Sequence, residues 1–193
     1  MKRQRKYRML RLALIIAALG LCGHATLKTR IGREAFHRIW PWTAAEFEPL
    51  IEKSAAKYGV DPDLVRAVVW TESRFDPDKV GKAGEIGLMQ ILPSGAAADY
   101  SRLNRRAEFS EDELFNPATN IEVGVWFLKQ GLDRYAGRKD RMVLAVCFYN
   151  AGDSRARRWA EAPDGEAMNA IDIPSTRDYA GKVLARYDEY KGK

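Results

Sequence analysis

One carboxylate stands where carboxylates rarely belong. The apolar positions Leu64, Val65, Val68, Val69 and Phe75 recur at helical spacing, and on a helical projection Glu72 falls inside the arc they define. Its neighbours one turn away, Val68, Val69 and Phe75, are apolar; Asp76 is acidic, and no Lys or Arg lies three or four residues off. Burying an unpaired carboxylate is costly, and the usual relief is a raised pKa that keeps it protonated. From pattern alone, such a group is either a structural hydrogen-bond partner or a proton donor to a leaving group, as in glycoside cleavage.

Other chemistry-bearing side chains are sparse. His24 and His37 lie near the N-terminus with no acid or thiol at metal-ligand spacing. Two cysteines are too few for a disulfide-dense scaffold or a four-cysteine zinc site, and Cys22 and Cys147 occupy separate apolar stretches that are not expected to meet. No metal and no cofactor is expected.

The elements that must position Glu72 are helical. Thr43-x-x-Glu46 reads as a capping box, with Phe47, Leu50, Ile51, Ala55 and Tyr58 behind it and Gly59 as the stop. Asp61-Pro62 restarts a helix whose pattern runs to Phe75. Residues 76–93 carry Gly81, Gly84, Gly87 and two prolines and read as irregular. Asn116-Pro117 opens a helix with Ile121, Val125, Leu128, Leu132 and Tyr135 on one face. Asp140 caps a run from Met142 to Tyr149 that is apolar nearly all round, the pattern of a central buried helix. Ser175-x-x-Asp178 begins the last helix, with Tyr179, Val183, Tyr187 and Tyr190 as its stripe. Residues 43–193 therefore predict one mainly α domain with an irregular Gly-rich segment beside the helix of Glu72.

Composition bounds the rest. The 193 residues are 46% apolar and 30% charged, which suits a folded domain. The net charge of +6 is local: Lys2, Arg3, Arg5, Lys6, Arg8 and Arg11 precede any acid, and the remaining 26 basic residues equal the 26 acidic ones. A neutral body argues against nucleic acid as a partner. The basic start, followed by an uncharged run from Leu12 to Gly23, reads as an export signal, cut after Ala25, or as a retained inner-membrane anchor over residues 1–27. Residues 28–42, basic and carrying Trp40-Pro41-Trp42, form a linker that either packs on the domain or lies on an anionic membrane surface.

Five segments share an order with a known family. Glu72-Ser-Arg-Phe-Asp-Pro77, then Gly84-Glu-Ile-Gly-Leu-Met-Gln-Ile-Leu-Pro93, Asn116-Pro117-x-x-Asn120-Ile121-x-x-Gly124, Phe148-Tyr-Asn-Ala-Gly152 and Ile173-Pro174 leading to Thr176-Arg177-x-Tyr179 resemble the soluble-type (SLT) lytic transglycosylases related to goose-type lysozyme. The resemblance implies a lysozyme-like helical domain acting on peptidoglycan in the periplasm. It implies cleavage of the β-1,4 bond between N-acetylmuramic acid and N-acetylglucosamine with formation of a 1,6-anhydro sugar, without metal or cofactor. It places the catalytic acid at Glu72, an orienting hydroxyl at Tyr179, and groove residues at Ser73, Met89, Gln90, Tyr149 and Asn150. Three positions depart from the family's pattern: Gly81 where serine is common, Glu85 where a small residue is usual, and Ser175 where a glutamate usually stands. Two other readings remain at this point: a lysozyme-like hydrolase in which Glu85 or Asp76 activates water, and a non-catalytic peptidoglycan-binding module.

Overall fold

The computed structural model describes residues 43–192; the signal or anchor of residues 1–27 and the linker of residues 28–42 lie outside the described residues. Nine α-helices and a one-turn π segment make up the described chain, and no named strand is present among these residues. Helix α1 spans Ala44–Tyr58 and α2 spans Pro62–Ser73; the π turn Pro93–Ala97 runs into α3, Ala98–Leu103. Then come α4 (Glu111–Phe115), α5 (Pro117–Arg134), α6 (Arg141–Ala151), α7 (Asp153–Trp159), α8 (Ala167–Ala170) and α9 (Pro174–Lys191).

The local punctuation explains most boundaries. Glu46 accepts the Thr43 N–H at 3.1 Å at the start of α1, and Gly59 ends it in the left-handed region at φ 63°. Asp61 accepts from the Asp63 N–H at 2.9 Å, with Pro62 fixed at the first helical position. Asn116 accepts from the N–H groups of Ala118 and Thr119.

Two boundaries and one cap differ from the sequence reading. Helix α2 ends at Ser73, two residues before Phe75, because Arg74 and Phe75 both take positive φ, 59° and 64°. The Arg74 N–H closes back on Trp70 O at 3.1 Å, and its guanidinium lies 3.4 Å over the Trp70 ring. Phe75 is buried nonetheless, so its apolar signal was genuine while its helical assignment was not. Asp140 makes no capping bond to α6; its carboxylate accepts instead from Arg138 and from the N–H groups of Gly165 and Ala167, which hold it at a pKa of about 2. Helix α9 starts at Pro174 rather than Ser175, since proline's fixed φ suits the first helical position.

Helix α6 is the centre. Leu144, Ala145, Val146, Cys147 and Phe148 are all buried, with α5, α7, α8 and α9 packed around them. Burial pushes the Cys147 thiol up to about 12, so it behaves as a small apolar residue. Helix α9 also packs on α2, and α2 on α1, so Glu72 projects from a helix clamped by two others. Gly131 allows the α5–α6 approach: a Cβ there would stand 3.0 Å from the Ala145 Cα.

Candidate active site

The segment after α2 is seated by one buried side chain. Asn120, on the first turns of α5, accepts the Met89 N–H at 2.8 Å and donates to Ile86 O and Leu114 O, each at 2.8 Å. Asn120 is 1% exposed, so all three bonds form away from water. Antiparallel bridges Val80–Ile86 and Ile86–Ile91 complete the fold of this segment. Met89 packs directly over Gly124, where a Cβ would collide with its sulfur and approach its own Cβ to 2.8 Å.

A cleft of about 660 Å³ opens beside this segment. Glu72 lines it from the end of α2, Gln90 from the irregular segment, and Tyr149 and Asn150 from the end of α6. The Tyr149 hydroxyl donates to Met89 O at 2.7 Å, tying α6 to the irregular segment. Phe127 of α5 packs on Tyr149 with ring centroids 5.6 Å apart and gives the cleft an aromatic wall. Asn150 accepts from the Thr176 hydroxyl at 2.9 Å, which orients its amide NH2 as a free donor.

Glu72 is only partly accessible, and that access is to the cleft. Tyr179, reaching across from α9, donates its hydroxyl to Glu72 Oε1 at 2.5 Å. Burial is the largest influence on the Glu72 carboxyl and drives its pKa up to about 7. The Tyr179 hydrogen bond and the Lys79 cation oppose that rise, while the Glu85 charge adds to it. Burial and the Glu72 charge also hold the Tyr179 and Tyr149 phenols well above their usual range, so both remain protonated donors.

The expected site residues thus separate into two groups. Glu72, Gln90, Tyr149 and Asn150 line the cleft, and Tyr179 joins them from behind through its bond to Glu72. Ser73 and Met89 do not line it: the Ser73 side chain is buried and its hydroxyl donates to Val69 O at 3.2 Å, while the Met89 side chain is fully buried core. The Met89 carbonyl accepts the Tyr149 hydroxyl behind the cleft wall. The sequence reading missed Lys79, whose ammonium donates to the Glu72 carbonyl oxygen; seven residues away, it lies beyond any helical-neighbour rule. Asp76, one of two bases considered for water activation, is absent from the cleft lining and accepts the Asp78 N–H at 3.0 Å in a turn. Among the described residues no cluster of His, Cys, Asp or Glu is arranged to hold a metal ion.

A helical domain with one enclosed carboxylic acid at a cleft belongs to the lysozyme-like class. More narrowly, the chain belongs to the transglycosylase SLT family, whose domain model matches residues 49–171. It is 35% identical over 133 residues to a membrane-bound lytic murein transglycosylase C of Histophilus somni, covering 66% of this chain and 37% of that one. It is 31% identical over 140 residues to the like-named protein of Yersinia pestis, covering 70% and 39%. The chain therefore spans under two fifths of the length of these relatives. Among solved structures, an inactive mutant of the lytic transglycosylase Slt from Pseudomonas aeruginosa superposes with a TM-score of 0.66 at 28% identity, over 75% of this chain and 24% of that one. The 70-kDa soluble lytic transglycosylase of Escherichia coli shares the fold, with a TM-score of 0.66 at 24% identity over 84% and 27% of the two chains.

Proposed function

We propose that the chain is a peptidoglycan lytic transglycosylase that cleaves the β-1,4 bond between N-acetylmuramic acid and N-acetylglucosamine, leaving a 1,6-anhydro end. The observation that carries this reading is Glu72 itself: a carboxyl at a cleft, with a pKa of about 7 and one oxygen held by Tyr179. Family membership and the names of the relatives support the substrate class.

The chemistry follows from a single acid. Protonated Glu72 gives its proton to the glycosidic oxygen as the C1–O4 bond breaks, and positive charge develops on the muramic acid ring. The substrate's own acetamido oxygen stabilises that charge, a role a second carboxylate plays in two-acid glycosidases. Glu72, now ionised, takes the proton from the 6-hydroxyl of the same sugar, whose oxygen closes on C1. Proton and electron pairs balance with no water consumed, and Glu72 returns to its starting form. Intramolecular attack outcompetes water through its high effective molarity. Tyr179 orients Glu72, while Gln90, Tyr149 and Asn150 hold the glycan, the phenol ring offering a face for a sugar and the amides offering polar partners.

The chain would act in the cell envelope, exported by residues 1–27 as a signal or held at the inner membrane by them. Support comes from the basic start and apolar run, and from relatives named membrane-bound. No helix among the described residues is long and apolar enough to cross a membrane, so an anchor has to come from outside them.

Glu72→Gln tests the reading: the purified chain releases soluble muropeptides from peptidoglycan and the variant, equally folded, releases at least about a hundredfold less. Equal turnover by the two would remove Glu72 from the reaction.

A further inference from the structure

Glu85 shares the cleft wall with Glu72, Gly81 and Gln90. Its place is set by the backbone around it: Oε2 accepts the Ala83 N–H at 3.0 Å, and Gly81 N donates to Glu85 O at 2.8 Å. The carboxylate therefore curls back over Gly81 instead of extending into solvent. A side chain at position 81 would displace the glutamate, because a Cβ there would collide with Glu85 Oε2 and stand 2.9 Å from Gln90 Oε1. The glycine at 81 and the glutamate at 85, two separate departures in sequence, form one unit in space.

The polarity of that unit carries information about its ligand. Gln90 uses its amide nitrogen on two carbonyls, Lys79 O at 3.2 Å and Gly87 O at 3.1 Å, which fixes Oε1 as the outward acceptor. Gln90 also holds a left-handed backbone at φ 48°, a cost tolerated where a side chain must be aimed. Glu85 Oε1 accepts no hydrogen bond among the described residues. Glu85 Oε2 and Gln90 Oε1 thus stand together beside Gly81, with the second carboxylate oxygen of Glu85 left to accept from a ligand. A ligand entering there must bring donors, or the acceptors lose their water for nothing. Hydroxyl groups and acetamido N–H groups of an amino-sugar strand are donors of that kind.

We propose that Glu85 is a substrate-binding residue of the cleft, seated by the bare backbone of Gly81, and that its carboxylate accepts hydrogen bonds from hydroxyl or acetamido N–H groups of the glycan. This rests on the glycan-cleaving reading of the cleft and adds to it a binding group.

The test measures affinity of the full chain for glycan strands freed of their peptide stems by an amidase, in a Glu72→Gln background so that the strands stay intact. Glu85→Ala is expected to weaken binding about tenfold, the scale of a hydrogen bond to a charged group, and Glu85→Gln, which keeps one acceptor oxygen, to weaken it less. Gly81→Ala should match Glu85→Ala, since its methyl displaces the carboxylate. Melting temperatures within about 2 °C of the parent exclude misfolding as the cause. Unchanged affinity in Glu85→Ala, with the parent binding normally, overturns this inference alone. A parent that fails to bind the strands overturns the glycan reading and this inference with it.

Discussion

The Tyr179 hydroxyl and the Glu72 carboxylate, 107 positions apart in sequence, meet at 2.5 Å. Helix α9 packs on both α2 and α6, so the bond depends on the whole helical assembly rather than on a local loop. A hydrogen bond donated to a carboxylate favours its ionised form, and here it opposes a larger effect of burial. Tyr179 therefore orients the acid and moderates its pKa together.

Tyr179→Phe separates those roles. Losing the donor should lower kcat about tenfold to a hundredfold through misorientation, while the pKa of Glu72 rises further above 7. The pH–rate profile is the discriminating readout. A lower kcat with an unmoved basic limb would leave Tyr179 an orienting role without influence on the Glu72 pKa, and an unchanged kcat would remove the orienting role.

The proposed mechanism starts from protonated Glu72, so kcat/KM of the wild type should fall as pH rises through about 7. Lys79 lowers the Glu72 pKa, so Lys79→Met should move that limb to higher pH. Activity that kept rising above pH 8 would contradict an acid in this role.

The same shift bears on stability. Glu72 holds its proton up to about pH 7 when folded, against an ordinary value of 4.5. Between those values the folded chain binds more protons than the unfolded one, so stability declines with rising pH across that window. Below pH 4.5 both states are protonated and nothing is lost. Above pH 7 the loss is complete, at most about 3 kcal/mol. Glu72→Gln, which cannot ionise, should be more stable than wild type at pH 8 and nearly equal at pH 4. Denaturant unfolding at the two pH values reads the difference directly.

Asn120→Ala should be among the most destabilising single changes, by roughly 2–4 kcal/mol, because it strands the buried Met89 N–H and two carbonyls. The irregular segment would lose its seat on α5, so glycan affinity should fall with stability. A variant as stable as wild type would show that Asn120 does not hold the segment.

Much of this was legible in the sequence because helices announce themselves locally. The caps at Asp61 and Asn116, the stop at Gly59 and the apolar run of α6 each rest on chemistry within a few residues. The acid at position 72 was visible for a related reason, since a carboxylate on an apolar arc violates the helix's own pattern. What escaped was set by distant or backbone partners. Arg74 ends α2 in a left-handed turn without a glycine, supported by stacking on Trp70. Lys79 reaches Glu72 only because the segment after α2 folds back. Asp140 has the residue type of a helix cap, yet a loop 25 residues on claims its carboxylate. Ser73 and Met89 carried the family's motif but not its exposure: one back-bonds to its own helix and the other fills the core.

The most direct test of the account is the mass of the muropeptides released by wild type and by Glu72→Gln from the same peptidoglycan. Single-acid chemistry predicts anhydro products from wild type and none from the variant. Products heavier by one water, with reducing ends, would show that a nucleophile other than the sugar's own 6-hydroxyl completes the reaction, and would contradict the mechanism assigned to Glu72.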